Sequence, residues 1–258
     1  MKFDRLEVIQ SQLFARGVVS VRGLSDQLNV SLATIRRDLR NLEEAGIAER
    51  THGGARLVDR SGIEVAFEIR KRHNIEAKRA IGAYAYSMIE PHSSILFDAS
   101  TTVLQAARRL KVAPVPINLF SNGLMVAQEL IGVPGINVFL LGGLLRKENL
   151  SVAGPQAERE LDQLWIDHTF LGARAICEDG AIYGFDQSGA SIIAKMIARS
   201  KRCTVLADAR KFGHRSTFRI AHLSEIYSVV TDQEIDPALV DRLREQGVNM
   251  KIAPTYSP

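Results

Sequence analysis

Cysteine is scarce: only Cys177 and Cys203 occur in 258 residues. Their separation matches neither a metal-ligand nor a dithiol redox spacing, so both are expected as buried free thiols, with no metal and no cofactor. Long apolar runs are missing as well. No uncharged stretch reaches the roughly 18 residues needed to cross a bilayer. The amino terminus carries Lys2, Asp4, Arg5 and Glu7 in place of a secretory apolar segment, so a cytoplasmic protein without a membrane partner is expected. Charge of one sign is also in short supply, the net value being +4. Residues 1 to 60 hold ten Lys or Arg against eight Asp or Glu, so the total marks no nucleic-acid binder and placement must decide. No internal repeat or low-complexity tract appears. With 46% hydrophobic and 24% charged residues, the chain reads as an ordinary globular one of one or two domains.

What is present is most informative from Ser31 to Leu42. Ser31 can accept a first-turn N–H as an N-cap, and Gly46 sits where a helix ends with a left-handed residue. At roughly 100° per residue, Leu32, Ile35, Leu39 and Leu42 share one face while Ala33, Thr34, Arg37, Arg40 and Asn41 share the other. The first set can bury; the second can touch a partner. Leu6, Ile9, Leu13 and Phe14 give an earlier helical pattern, Val18 to Val21 is short and β-branched, and Leu24 to Leu28 is helical again. Asn29 to Ser31 then turns the chain, giving a helix-turn-helix over about residues 20–39. Two runs, 47–51 and 55–58, flank His52-Gly53-Gly54 and predict a two-stranded wing. The winged helix-turn-helix is expected over 1–58 and a polar linker over 59–74, where Arg70-Lys71-Arg72-His73-Asn74 breaks the helical period.

From 75 to 258 helices and strands alternate, predicting an α/β domain with a mostly parallel sheet. Strands are expected at 94–97, 115–120, 136–141, 168–171, 204–207, 226–230 and 250–252. Ligands of such sheets sit outside the carboxyl ends of the strands. Polar loops fall there. Asp98, Ser100, Thr101 and Thr102 follow the first strand, Ser121 and Asn122 the second, Gly142 and Gly143 the third with Arg146 close behind, and Lys211 a later one. Hydroxyls and N–H groups at a helix start can receive a phosphate. Each has a plainer reading too: Ser, Thr and Asn cap helices, Gly-Gly turns the chain, and Lys211 can be a solvated charge.

The residues Val21, Leu24, Leu28, Val30-Ser31, Thr34-Ile35-Arg36-Arg37-Asp38-Leu39, Leu42, Gly46, Arg50 and His52-Gly53-Gly54-Ala55 resemble the signature of the DeoR family of bacterial transcription regulators. Asp98 to Thr102, Ser121-Asn122-Gly123, Gly142-Gly143, Phe170 to Ala173, Asp208 to Gly213 and Thr231-Asp232 resemble that family's sensor domain. The resemblance implies a sensor domain similar to the ribose-phosphate isomerase and glucosamine-phosphate deaminase fold, and a phosphorylated sugar or sugar acid as effector. One segment departs. The family pattern places an acidic residue and a lysine where this chain has Gly189 and Ile193, so effector identity does not carry over from a relative. Asp186 and Gln187 stand just upstream, as substitutes or as a helix start.

The leading expectation is a DNA-binding repressor of a carbohydrate-metabolism operon, a homodimer or homotetramer on a double-stranded operator and not an enzyme. Leu32, Ala33 and Thr34, with the cap Ser31, are expected near base edges; Arg37 donates to a base or phosphate, Arg36 or Arg40 to phosphate. Arg50 and Arg56 are expected phosphate contacts and His52 an open one. Asp38, repelled by phosphates, is expected to pair with Arg36, Arg37 or a wing residue. The rivals are a sugar-phosphate isomerase or deaminase with an appended DNA module, using Asp98, Asp186 or Asp208, and an architectural DNA protein without effector.

Overall fold

The computed structural model of the protein describes residues 5–6, 8–10, 12–13, 17–44, 47–57 and 67–255. The chain divides into two compact units, Met1–His73 and Asn74–Pro258.

In the first unit a strand, β1 (Val18–Ser20), runs straight into helix α1 (Val21–Leu28). Ser20 serves both, extended in backbone while its hydroxyl accepts the Gly23 N–H at 3.0 Å. Asn29 ends α1 with φ of 51°, a left-handed conformation that Asn tolerates. Helix α2 (Leu32–Glu44) follows, and its start is capped as expected: Ser31 Oγ accepts the Thr34 N–H at 3.2 Å. Ile35, Leu39 and Leu42 are buried with Ile9, Leu13, Val19, Val21, Leu24, Ala48 and Ala55 in one core. Each of the valines, leucines and isoleucines among them contributes about 1.5–3 kcal/mol by leaving water. Leu32 departs from its expected burial at 38% exposure, because residues 31–33 all stand clear of that core. Gly46, the expected helix end, lies outside the described residues.

The expected two-stranded wing is β2 (Ala48–Thr51) and β3 (Gly54–Leu57), and β1 adds a third strand in the order β1-β3-β2. A Cβ on Gly54 would fall 2.0 Å from the Val19 carbonyl oxygen, so only glycine lets β1 and β3 approach. Within the segment read as linker, Phe67–Arg72 is helical (α3). Its polarity hid it, although three cations in a last turn suit a helix carboxyl end. The remainder of that segment before Phe67, residues 59–66, lies outside the described residues.

The second unit begins with α4 (Ile75–Tyr86), followed by β4 (Ser94–Phe97), α5 (Val103–Val112), β5 (Ile117–Ser121), α6 (Leu124–Leu130) and β6 (Ile136–Leu140). A hairpin, β7 (Leu144–Arg146) and β8 (Ser151–Ala153), leads through α7 (Pro155–Asp162) to β9 (Ile166–Gly172). After β10 (Ala175–Ile176) and β11 (Ala181–Gly184) come α8 (Gln187–Ala198), β12 (Ser200–Leu206), β13 (Phe218–His222), β14 (Ser228–Thr231), α9 (Pro237–Glu245) and β15 (Met250–Ile252). The seven expected strands form one parallel sheet in the order β15-β14-β12-β9-β4-β5-β6. The order reverses between β4 and β9. Right-handed crossovers therefore put α5 and α6 on one face and α8 and α9 on the other. The larger core is built on the second face, from Leu161, Ile192, Met196, Val205, Val229, Leu239 and Leu243 among others. Both cysteines are buried and free, and burial pushes the Cys203 thiol up, which keeps it inert.

Across β9, β12 and β14 runs a buried polar ladder: His168 Nε2 lies 2.8 Å from Thr204 Oγ1, which lies 2.9 Å from Ser228 Oγ. The His168 ring stacks on Phe170 at 4.1 Å. Burial, reinforced by Arg202, lowers its pKa from 6.5 to about 4, against the opposing pull of Glu90. The unfolded chain therefore binds this proton between those two values while the folded protein does not, and stability falls as pH drops through that window. A loss of about 3 kcal/mol is expected between pH 7 and pH 4. Urea unfolding across this range measures it, and His168→Gln should flatten the curve above pH 4.5, where the carboxylates have yet to titrate fully; an unchanged slope would refute the assignment.

Candidate DNA-binding surface and effector crevice

On the first unit, Ser31, Leu32, Ala33, Arg36, Arg37 and Arg40 are all exposed, Thr34 is half-buried, and His52 is exposed at the wing turn. The arginines occupy the face of α2 opposite Ile35, Leu39 and Leu42, as helical periodicity requires. Ser31 and Thr34 hydroxyls hydrogen-bond to each other at 2.9 Å, so their contact edges are fixed relative to the helix start. Wing cations differ in setting. Arg56 is exposed and pairs with Glu49 at 2.7 Å, a solvent-screened contact that a phosphate can displace. Arg50 is half-buried, and its Nη1 donates to the Arg36 carbonyl at 3.1 Å.

Asp38 corrects an expectation. It is fully buried and pairs with none of Arg36, Arg37 or a wing residue; Arg5 donates to it through Nε at 2.6 Å and Nη2 at 3.2 Å. The reason is angular. Asp38 lies at the edge of the stripe of Ile35, Leu39 and Leu42, facing the core, whereas Arg36 and Arg37 point away from it. Arg5 escaped notice, yet a signal existed: it sits four residues before Ile9 and eight before Leu13, a cation on an oily stripe. Two opposite charges on two buried faces need each other.

On the second unit the named loops gather at the carboxyl end of the sheet. Ladder partners Phe97 with Ser121 and Phe97 with Phe170 set the ends of β4, β5 and β9 side by side. Asp98 bridges the reversal point: its Oδ1 accepts the Ser100 N–H and its Oδ2 the Gly172 N–H, both at 2.8 Å. Thr101 and Thr102 are buried beside it, and Ser100 Oγ accepts the Val103 N–H at 3.1 Å as α5 begins. Ser121 Oγ donates to the Phe97 carbonyl at 2.8 Å and accepts the Gly123 N–H at 2.9 Å. Asn122 donates to the Val152 carbonyl at 3.0 Å, leaving its buried Oδ1 without a partner. A buried acceptor of this kind invites a ligand donor.

The other named residues are more occupied. The Gly142 N–H donates to Glu160 Oε2 at 2.8 Å, so a carboxylate already fills that position, while Gly143 turns the chain at φ of 136°. Arg146, on β7, pairs with Asp186 at 2.7 Å, and Asp186 also caps α8 by accepting the Gly189 N–H at 2.8 Å. Of the two readings the sequence left open for Asp186, the helix start is the one seen here. A Cβ at Gly189 would come within 3.0 Å of Arg146 Nη1 and 2.9 Å of Asp186 Oδ2, so a larger residue there would make the ends of these two side chains shift. Lys211 is half-buried in a short 3-10 turn that its own N–H closes onto the Asp208 carbonyl at 2.9 Å. Sequence reasoning missed Lys78, a lysine only 4% exposed on α4, and the buried, unpartnered hydroxyl of Thr231 at the end of β14. Lys78 was findable: it falls three and seven residues before Ile81 and Ala85 on the buried face of α4.

A winged helix-turn-helix followed by a parallel α/β unit with polar loops at the carboxyl end of its sheet is the architecture of a two-domain DNA-binding regulator. The chain belongs to the DeoR family. Its residues 5–61 match the DeoR-like helix-turn-helix domain and residues 73–233 the DeoR C terminal sensor domain. Among similar proteins, the putative aga operon transcriptional repressor of Escherichia coli is 31% identical over 96% of this chain and 92% of its own. The HTH-type transcriptional repressor GlcR of Bacillus subtilis is 32% identical over 96% of this chain and 95% of its own. The HTH-type transcriptional regulator GlpR of Haloferax volcanii is 33% identical over 90% of each. Ribose 5 phosphate isomerase A from Neisseria gonorrhoeae aligns with 54% of this chain and 53% of its own at 15% identity and a TM-score of 0.39. The protein is a DNA-binding transcription regulator.

Proposed function

We propose that α2 enters the major groove, that the protein represses a carbohydrate-metabolism operon, and that a phosphorylated sugar or sugar acid in the crevice controls it. The observation that carries the DNA reading is the free amino-terminal turn of α2, with Ser31, Leu32 and Ala33 exposed and Arg36, Arg37 and Arg40 beside them. Arg56 and His52 extend the contact along the backbone. Repression draws support from relatives named as repressors. The effector would occupy the space among Asp98, Ser100, Thr101, Thr102, Ser121 and Asn122, with Arg146 and Lys211 as outer cations. It is bound and released unchanged, in the cytoplasm, by a homodimer or homotetramer matching paired half-sites.

A thermal-shift screen of phosphorylated sugars, sugar acids and their unphosphorylated parents tests the effector class. A ligand at a hundredfold excess over its Kd stabilises by about 2.7 kcal/mol, a rise of roughly 5–10 °C for a domain of this size. Phosphorylated compounds should produce it and their parents should not. A flat screen, or sustained turnover of a hit, would overturn the reading, the second outcome in favour of an isomerase or deaminase.

A further inference from the structure

We infer that Arg50 is a positioning residue for α2 and not a phosphate contact. The inference rests on α2 being the DNA-contacting helix. Arg50 lies in β2, yet its guanidinium reaches back across the module to the Arg36 carbonyl at 3.1 Å. Its Nε is sealed from solvent and has no partner, so that edge of the group faces protein and cannot turn to a phosphate without moving the side chain. Arg56, one strand away, shows the contrast: its guanidinium is exposed and, among the described residues, held by the exposed Glu49.

The carbonyl that Arg50 holds is well chosen. Within an α-helix one lone pair of the Arg36 oxygen serves the N–H of Arg40, and the second is free to accept a guanidinium without breaking the ladder. Arg36 and Arg40 are two of the three arginines on the exposed face, and Arg37 is the next residue along. From the opposite side Asp38, fully buried, is gripped by Nε and Nη2 of Arg5. Residues 36 to 38 are thereby tied from two directions by cations that lie off the candidate contact face. The backbone N–H of Arg50 lies 3.4 Å from Glu43 Oε1, a second, longer tie between β2 and the last turn of α2. Held this way, the base-facing side chains arrive at DNA already oriented, and ordering cost is spared at binding. A brace of this kind affects discrimination between sequences; a phosphate contact affects all sequences alike.

The test uses the full-length protein, a duplex selected by the wild type from a random-sequence library, and an unselected duplex of equal length. Binding of wild type, Arg50→Met, Arg56→Ala and Arg37→Ala is measured by fluorescence anisotropy across a salt series. Arg50→Met is expected to weaken the selected duplex about tenfold or more, to leave the unselected duplex within about twofold, and to keep the wild-type slope of log K against log salt. Arg56→Ala should lower the slope by about one and weaken both duplexes alike. A slope lowered by about one in Arg50→Met, or an unchanged affinity, would overturn the inference. Should Arg50→Met fail to fold, nitrogen-15 spectra of the wild type decide: the brace requires Arg50 side-chain N–H signals that exchange slowly without DNA, and solvent-like exchange sinks it. If Arg37→Ala leaves both duplexes unaffected, the failure lies with α2 as the contact helix and not with the brace alone.

Discussion

Gly172→Ala is expected to strip the regulator of its effector response while leaving DNA affinity in place. The added Cβ would fall 2.3 Å from Ser100 Cβ and 2.5 Å from its Oγ, closer than real atoms approach. Ser100 has little freedom to yield. Its N–H is on Asp98, its hydroxyl holds the Val103 N–H, and the same Asp98 carboxylate grips the Gly172 N–H. Relief therefore means moving Asp98 through Thr102, the segment proposed to line the crevice. Overpacking of this sort costs about 1–3 kcal/mol, which corresponds to roughly 5- to 150-fold in effector affinity if the bound geometry is what is lost. Calorimetry with the compound found by thermal shift measures the first quantity and anisotropy on the selected duplex the second. Full effector affinity in Gly172→Ala would show that the crevice lies elsewhere.

Arg37→Ala carries the largest expected effect on DNA binding. Arg37 is exposed on the face of α2 opposite the buried stripe, one turn from the free amino-terminal residues and between two residues whose positions are fixed by Arg50 and Arg5. A bidentate contact to a base edge contributes about 1–3 kcal/mol of discrimination, so the selected duplex should weaken by up to roughly 150-fold while the unselected one changes little. Arg36→Ala and Arg40→Ala, as phosphate contacts, should weaken both duplexes together and reduce the salt slope by about one each. If Arg37→Ala behaves as they do, it is a backbone contact and base reading falls to Ala33 and Thr34.

Much of this was legible in the sequence because it is local. The Ser31 cap, the stripe of Ile35, Leu39 and Leu42, and the seven strands of the large sheet all follow from periodicity within single segments. What escaped depends on partners distant in the chain. Arg5 and Asp38 are 33 residues apart, and neither segment alone says which cation meets the buried carboxylate. β10 has two residues and β7 and β8 three each, too short for alternation to register. β1 reads as a β-branched fragment; only the absence of a side chain at Gly54 makes it a third strand. Leu32 shows the converse limit. Its spacing assigns it to the oily face, but a helix end that stands out from its core exposes residues on every side.

The central claim is that DNA and a small phosphorylated metabolite bind the same protein and bias one another. The direct test measures the affinity of the full-length protein for the selected duplex with and without the compound from the screen, then the affinity for the compound with and without the duplex. The two ratios should be equal and lie at roughly 5- to 150-fold. A compound that binds tightly yet shifts neither affinity, or duplex binding that no phosphorylated sugar or sugar acid alters, would contradict the account.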